Sequence, residues 1–411
     1  MMNGGGCRIR TYWLAILMMC ALLAGTPVHV QAAPSLSSML ASAKPGDTLT
    51  LPAGTYEGPV RITKSITLLA EPGAVLEGNH EGSVLLIEAD NVTVQGLTIR
   101  GTGESVADFD AAIKVSGNHA ILRNNTIQTD AFGIHFDRST GSKAESNIIK
   151  GRNDIPLPQR GNGIQLTGKG KHVLENNHLY DMQDGVYFDG TYDNIVRNNS
   201  VTNSRYGYHV MFSDRNTLEH NQATNSTIGA MVMDGENTRI TGNIFSGQRN
   251  SEGYALFLYD ARGATVTNNQ LTRNSIGLAL DMTDGVTISN NRIAENAIGV
   301  KRVGNVLDTH LTRNIFTGNV RPIGGKANWN ADVWSLNKIG NYWDDYSGFD
   351  LNGDNIGDSP YRMADGMLKT MDQNPLLAIF YASPLQQLLE QLTGSDGTFD
   401  RYPLLLPPAT S

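Results

Sequence analysis

Four side chains able to hold a soft metal ion stand in two short runs, YGYHVM and IGAMVM: His209, Met211, Met231 and Met233. Thioether sulfur and imidazole nitrogen, with no thiolate among them, suit copper, and Cu(I) above all, better than calcium, magnesium or iron. Both runs alternate with apolar residues as β-strands do, so the chemistry depends on which face of a strand each side chain occupies. The elements that carry them have to be derived first.

Internal repetition supplies those elements. A phrase Asn-Asn-x-apolar recurs as RNNTI, ESNII, ENNHL, RNNSV, EHNQA, TGNIF, TNNQL, SNNRI and TRNIF, with its last asparagine at 125, 147, 177, 199, 221, 243, 269, 291 and 314. The intervals are 22, 30, 22, 22, 22, 26, 22 and 23 residues. Between these phrases falls a second one, a glycine followed by an alternating strand: FGIHF, NGIQL, DGVYF, YGYHV, IGAMV, EGYALF, IGLAL and IGVKR. Units of two or three short strands cannot bury a face alone, so neighbours must stack. A leucine-rich repeat shares the period but needs a leucine grid and usually a helix. The pattern predicts an all-β chain, a right-handed single-stranded parallel β-helix over residues 33–338. Its asparagines are structural, each tolerating the left-handed conformation at a bend and bonding the next rung. SLSSMLASA forms a short helical cap at the start, and GTGESVADFD and RNDIPLPQRG are inserted loops.

Strand period then assigns the faces. One and three residues after each repeat glycine stand Ile134/Phe136, Ile164/Leu166, Val186/Phe188, Tyr208/Val210, Ala230/Val232, Tyr254/Leu256 and Leu278/Leu280, which point inward. Two and four residues after it stand His135/Asp137, Gln165/Thr167, Tyr187/Asp189, His209/Met211, Met231/Met233, Ala255/Phe257 and Ala279/Asp281, which face solvent. Rungs about 4.8 Å apart place His209 over Met231 and Met211 over Met233. Metal binding, docking of a partner on a flexible methionine surface, and packing beneath a loop all fit this cluster. His135 lies three rungs from His209 and cannot share its coordination shell.

Composition narrows the setting. Arg8 and Arg10, the apolar run from Tyr12 to Ala24 and the small residues near Ala32 read as a secretory signal over residues 1–32, too short in its apolar part for a bilayer span. Both cysteines, Cys7 and Cys20, lie inside it, so the exported chain has neither disulfide nor thiolate. Removal of the two arginines leaves 30 basic against 40 acidic residues, which argues against nucleic acid as a partner. Parallel β-helices also host carbohydrate-binding and polysaccharide-cleaving proteins, which makes that the alternative function. Hydrolysis there needs two carboxylates roughly 5 to 9.5 Å apart, and Asp137, Asp189 and Asp281 are poorly spaced for it.

Past Asn314 the repeat stops. Asp350, Asn352, Asp354 and Asp358 occupy positions 1, 3, 5 and 9 of a calcium-type loop that lacks its position-12 glutamate, Tyr361 standing there instead. The phrase GNYWDDYSGFDLNGDNIGDSPYR, with DQNPLL and FDRYPLLLPP after it, resembles the NosD family of periplasmic maturation factors for nitrous oxide reductase, over nearly the whole exported chain. The resemblance implies a periplasmic, non-enzymatic accessory protein that works with the ATPase and membrane subunits of an ABC transporter, NosF and NosY. It further implies copper as cargo, delivered to apo nitrous oxide reductase or built into its copper-sulfur centre, with a periplasmic copper chaperone as a further partner. Residues 339–411 are expected to form a C-terminal cap and partner-docking extension, with an amphipathic helix after Pro384.

Overall fold

In the computed structural model, residues 35–251, 253–325, 331–362, 374–380, 383–384 and 399–408 are described. The expected signal segment and the helix expected after Pro384 lie outside these, except for Pro384 itself. The described chain opens with the helix Leu36–Ser42, whose N-cap Ser35 hydroxyl accepts from the Ser38 amide and which buries Leu36 and Leu40. No helix among the described residues is long and apolar enough to cross a membrane.

From Thr48 onward each coil lays one short strand on each of three parallel sheets. They contain 12, 13 and 14 strands and begin with Thr48–Leu51, Gly54–Glu57 and Val60–Ile62. The result is the parallel β-helix that the repeat predicts. In the first two sheets most of the three-residue strands bury only the middle side chain, as in Thr217–Glu219 around Leu218, and these stack into one core along the axis.

The paired asparagines divide the labour that the sequence assigns to one residue. The left-handed backbone belongs to the residue before the ladder asparagine: Asn124, Ser146, Asn176, Asn198 and His220 all have φ near +55°. The second asparagine is buried and bonds along the axis. The Asn177 amide N–H donates to Asn199 Oδ1 at 2.9 Å, and the side chain of Asn177 donates to the same oxygen and to the Ala144 carbonyl. Asn341 continues this line beyond Asn314.

The repeat glycine marks the corner into the third sheet. A Cβ on Gly229 would stand 2.4 Å from the Ala255 carbonyl oxygen and 2.8 Å from Phe245 Cβ, so the corner points into a filled core. One repeat departs from the expected phase. Tyr254 pairs with Ile228 and Ile276, and Leu256 with Ala230, so Ala255 takes the corner and Tyr254 joins the outer side. The extra residues of the 26-residue interval put the corner two positions later than Gly253 suggests.

The far end is closed by the segment after the coils. Trp343 stacks on Phe316 with ring centroids 4.2 Å apart, and Tyr361 stacks on Trp343 at 4.6 Å. Tyr361–Arg362 pairs antiparallel with Phe399–Asp400. The buried Asp400 carboxylate accepts from the Asn341 amide at 2.7 Å and from Trp343 Nε1 at 3.1 Å, ending the asparagine ladder with an acceptor of its own. Residues 399–408 therefore fold back over the helix end.

Candidate metal centre

The third sheet carries the candidate ligands on two consecutive strands, Tyr206–Met211 and Ile228–Glu236. Their register pairs His209 with Met231 and Met211 with Met233. All four side chains are on the outer side, in one cluster two rungs deep. Exposure differs from the expectation. His209 and Met231 are each only 6% accessible, whereas Met211 and Met233 are half-buried.

The cover is a row of side chains immediately before the corner residues. Tyr206, Ile228, Tyr254, Ile276 and Ile298 stand there, and Ile228, Met231, Tyr254, Ile276, Ala279 and Ile298 form an apolar cluster separate from the core, flanked by Tyr206, Met233, Phe257 and Tyr259. The bend at the corner breaks the strict alternation of the strand and turns this row outward, beside the ligands. Its signal in the sequence is the large residue preceding each glycine, in YG and three times in IG.

In the same row stands Asp184, fully buried, which the reading of the sequence missed. Its carboxylate accepts from His209 Nδ1 at 2.9 Å and from Arg205 Nε and Nη2 at 2.8 and 2.6 Å. Burial opposes its ionisation, but the bonds from His209 and Arg205 outweigh that and hold the carboxyl below its ordinary range. The Arg205 guanidinium lies 4.5 Å over the Tyr206 ring. Tyr206 and Tyr187 meet the imidazole edge-on with centroids 4.9 and 4.7 Å away. The ring is thereby fixed in position, with its Nδ1–H donating to the Asp184 carboxylate.

The opposite nitrogen, His209 Nε2, is buried and among the described residues has no hydrogen-bond partner. A buried acceptor left unpaired costs about 1–3 kcal/mol. A carboxylate on Nδ1 and a free lone pair on Nε2 is the arrangement that metal-bound histidines use. Met231 occupies the adjacent rung. The Met211 sulfur accepts the Tyr187 hydroxyl at 3.1 Å, and burial together with the Asp189 charge pushes that phenol up to about 12, so it stays a donor.

Other candidate residues are placed elsewhere. His135 is three rungs from His209, beneath Phe109 of the first inserted loop at 5.1 Å and bonded through Nε2 to Thr167. Asp137 and Asp189 are two rungs apart, and Asp189 and Asp281 four, so no hydrolytic carboxylate pair forms from them. In the calcium-type loop, Asp350 accepts the amides of Gly353, Asp354 and Asn355, and Asp358 accepts that of Leu351. These carboxylates are committed to turn formation, and among the described residues no three of His, Cys, Asp and Glu gather as an ion site.

Comparison with known proteins identifies the family of the chain. Residues 145–348 match the family model described as "Periplasmic copper-binding protein (NosD)". A relative from Stutzerimonas stutzeri, named a probable ABC transporter binding protein NosD, is 34% identical over 401 residues, covering 87% of this chain and 86% of its own. Another of the same name, from Pseudomonas aeruginosa, is 34% identical and covers 87% and 88%. Among solved structures, a mannuronic acid specific family 6 polysaccharide lyase from human gut microbiota superposes with a TM-score of 0.52 at 15% identity, covering 69% of this chain and 84% of its own. A family 6 lyase from Pseudopedobacter saltans gives 0.51 at 16%, covering 71% and 83%. At those identities the likeness concerns the β-helix alone.

Proposed function

We propose, from the premise that this chain belongs to the NosD family of periplasmic copper-binding proteins, that it carries copper as cargo on the outer face of its third sheet. Its role is that of a non-enzymatic accessory to an ABC transporter, delivering copper or helping to assemble the copper-sulfur centre of nitrous oxide reductase. NosF, NosY, a periplasmic copper chaperone and the apo-reductase are the partners this role requires.

One observation carries the reading: the unpartnered Nε2 of His209, held by Asp184 in the tautomer that leaves its lone pair free, beside three thioethers on the same two rungs. His209 and Met231 supply a sheltered inner pair, and Met211 and Met233 a rim open to solvent. Thioethers and a neutral imidazole favour Cu(I). Because two of the four donors are half-exposed, the ion can pass to an incoming ligand without opening the β-helix.

The alternative, a carbohydrate-acting protein, draws only on the shared fold, which does not imply function. The test is complementation. In cells lacking this gene, a His209→Ala/Met231→Ala chain that accumulates normally is expected to leave the reductase copper-deficient. Full copper loading of the reductase by that variant contradicts the assignment.

A further inference from the structure

The two inserted loops create a second site, remote from the methionines. Loop 101–110 and loop 151–161 leave the β-helix on the same side and are clasped together by Arg152, which binds Glu104 at 2.8 Å and Asp154 at 2.7 Å. Between them and the second sheet lies a cleft of about 350 Å³, lined by Glu77, His80, Arg100, Gln128, Asp130, Lys150 and their neighbours. That is near the lower end of the roughly 300–1,000 Å³ of small-molecule sites.

Among the described residues two of its polar side chains, the exposed Lys150 and Gln128, have no partner, and a third, Asp130, has only long ion pairs. Asp130 is partly buried, which raises its carboxyl above the ordinary range. Its nearest cationic neighbours, His80 Nδ1 and Arg152 Nε, both stand 3.9 Å away, beyond hydrogen-bond reach. Lys150 and Gln128 are side by side on adjacent rungs, and among the described residues neither side chain has a hydrogen bond or ion pair. Arg100, by contrast, is taken by Glu77.

This set asks for one anionic group, for Lys150, and for neutral donors, for Asp130, whose ion pairs leave its hydrogen-bonding capacity unfilled. A ligand ammonium at Asp130 is disfavoured because Arg152 and His80 already flank it. A hydroxyl is not. Gln128 can both donate to and accept from a hydroxyl. On the rung beyond Lys150 the Tyr180 ring is 38% exposed and offers an apolar face of the kind on which a sugar ring rests.

We propose that this cleft binds a polyhydroxylated carboxylate, an acidic sugar, with its carboxylate on Lys150 and its hydroxyls on Asp130 and Gln128. The ligand is a free sugar acid or one unit of an acidic polysaccharide. Neither the copper cargo nor its ligands take part.

The test is titration of the mature protein with galacturonate, followed by calorimetry or NMR shifts, beside galactose, acetate, phosphate and an oligogalacturonate. Saturable binding of galacturonate at millimolar concentration is expected, with galactose and acetate at least roughly tenfold weaker. Lys150→Ala and Asp130→Asn, both on the surface, are each expected to weaken it by a similar factor with unchanged circular dichroism. His209→Ala is expected to leave it unaltered. Tighter binding of the oligomer supports the polysaccharide source, and equal binding the free acid. Absence of saturable binding, equal binding of acetate, phosphate or galactose, or indifference to both cleft substitutions overturns the proposal.

Discussion

At the scale of single residues, the copper reading turns on how Asp184 uses its bonds to His209 and Arg205. It fixes one proton of His209, is itself held ionised by Arg205, and thereby frees the lone pair that a metal would take. Asp184→Asn removes the acceptor charge and lets the imidazole adopt the other tautomer. Loss of such an outer partner typically weakens metal binding roughly 10–100-fold, so Cu(I) affinity is expected to fall by that factor. Stability is expected to fall as well, by on the order of 3 kcal/mol, because a buried ion pair loses one member. His209→Gln, which spares the Asp184–Arg205 pair, is expected to weaken Cu(I) while changing the urea midpoint far less. A chelator-competition titration and a urea melt on both variants separate the two effects. Two other histidines set the response to acid. Burial lowers His135 and His172 to about 4. Unfolded, each titrates near 6.5, so the unfolded state takes up protons first as the pH falls. The stability they contribute is complete above about pH 6.5 and is lost progressively towards about pH 4. His172 Nδ1 accepts the Ser142 amide in a line that continues with Asn194 and Asn216, so His172→Asn keeps the bond and removes one proton from this dependence. Urea midpoints at pH 7 and pH 4.5 should converge in that variant. That His209, Met211, Met231 and Met233 share one face on two adjacent rungs was legible from residue type and strand period. Asp184 was not, because its contact with His209 crosses a rung and depends on a corner that reverses the side-chain direction.

At the scale of the element, the coil is specified by two residue types with different duties. The spacing of the asparagines is visible in the sequence, but not which of each pair bends the chain and which bonds along the axis, since the partner is 22 or more residues away. Asn199→Ala would strand the Asn177 amide and the Leu174 carbonyl, both buried. At about 1–3 kcal/mol for each unsatisfied group, a loss of roughly 2–4 kcal/mol is expected from urea denaturation. Asn198→Gly, at a left-handed position, should cost little by the same measurement. Gly229→Ala places a methyl against the Ala255 carbonyl and is expected to destabilise by an amount comparable to Asn199→Ala, while shifting the strand that carries Met231. Ala255 shows that a methyl is accommodated at one corner. That exception is why the phase of the Tyr254 strand could not be counted from Gly253.

For the whole molecule, a stack of coils is only as stable as its ends. The apolar core of the last coil is sealed by Trp343 and Tyr361, and the asparagine ladder by Asp400. Residues 399–408 were read from the sequence as part of a C-terminal cap and partner-docking extension. Their contacts are those of a cap, and a composition of prolines and leucines does not distinguish the two. Removal of residues 399–411 is expected to expose the terminal coils, lower the melting temperature and speed hydrogen exchange first at Asn314 and Asn341, because repeat arrays unravel from an uncapped end. Unchanged exchange there would show that the closing residues lie elsewhere. The account as a whole rests on one ion held by donors from two rungs. Titration of the mature protein with Cu(I) against a competing chelator, with X-ray absorption at the copper edge, tests it most directly. One Cu(I) per chain in a sulfur-rich shell containing one imidazole, abolished in the His209→Ala/Met211→Ala/Met231→Ala/Met233→Ala variant, is the result expected; equal stoichiometry and affinity in that variant would contradict it.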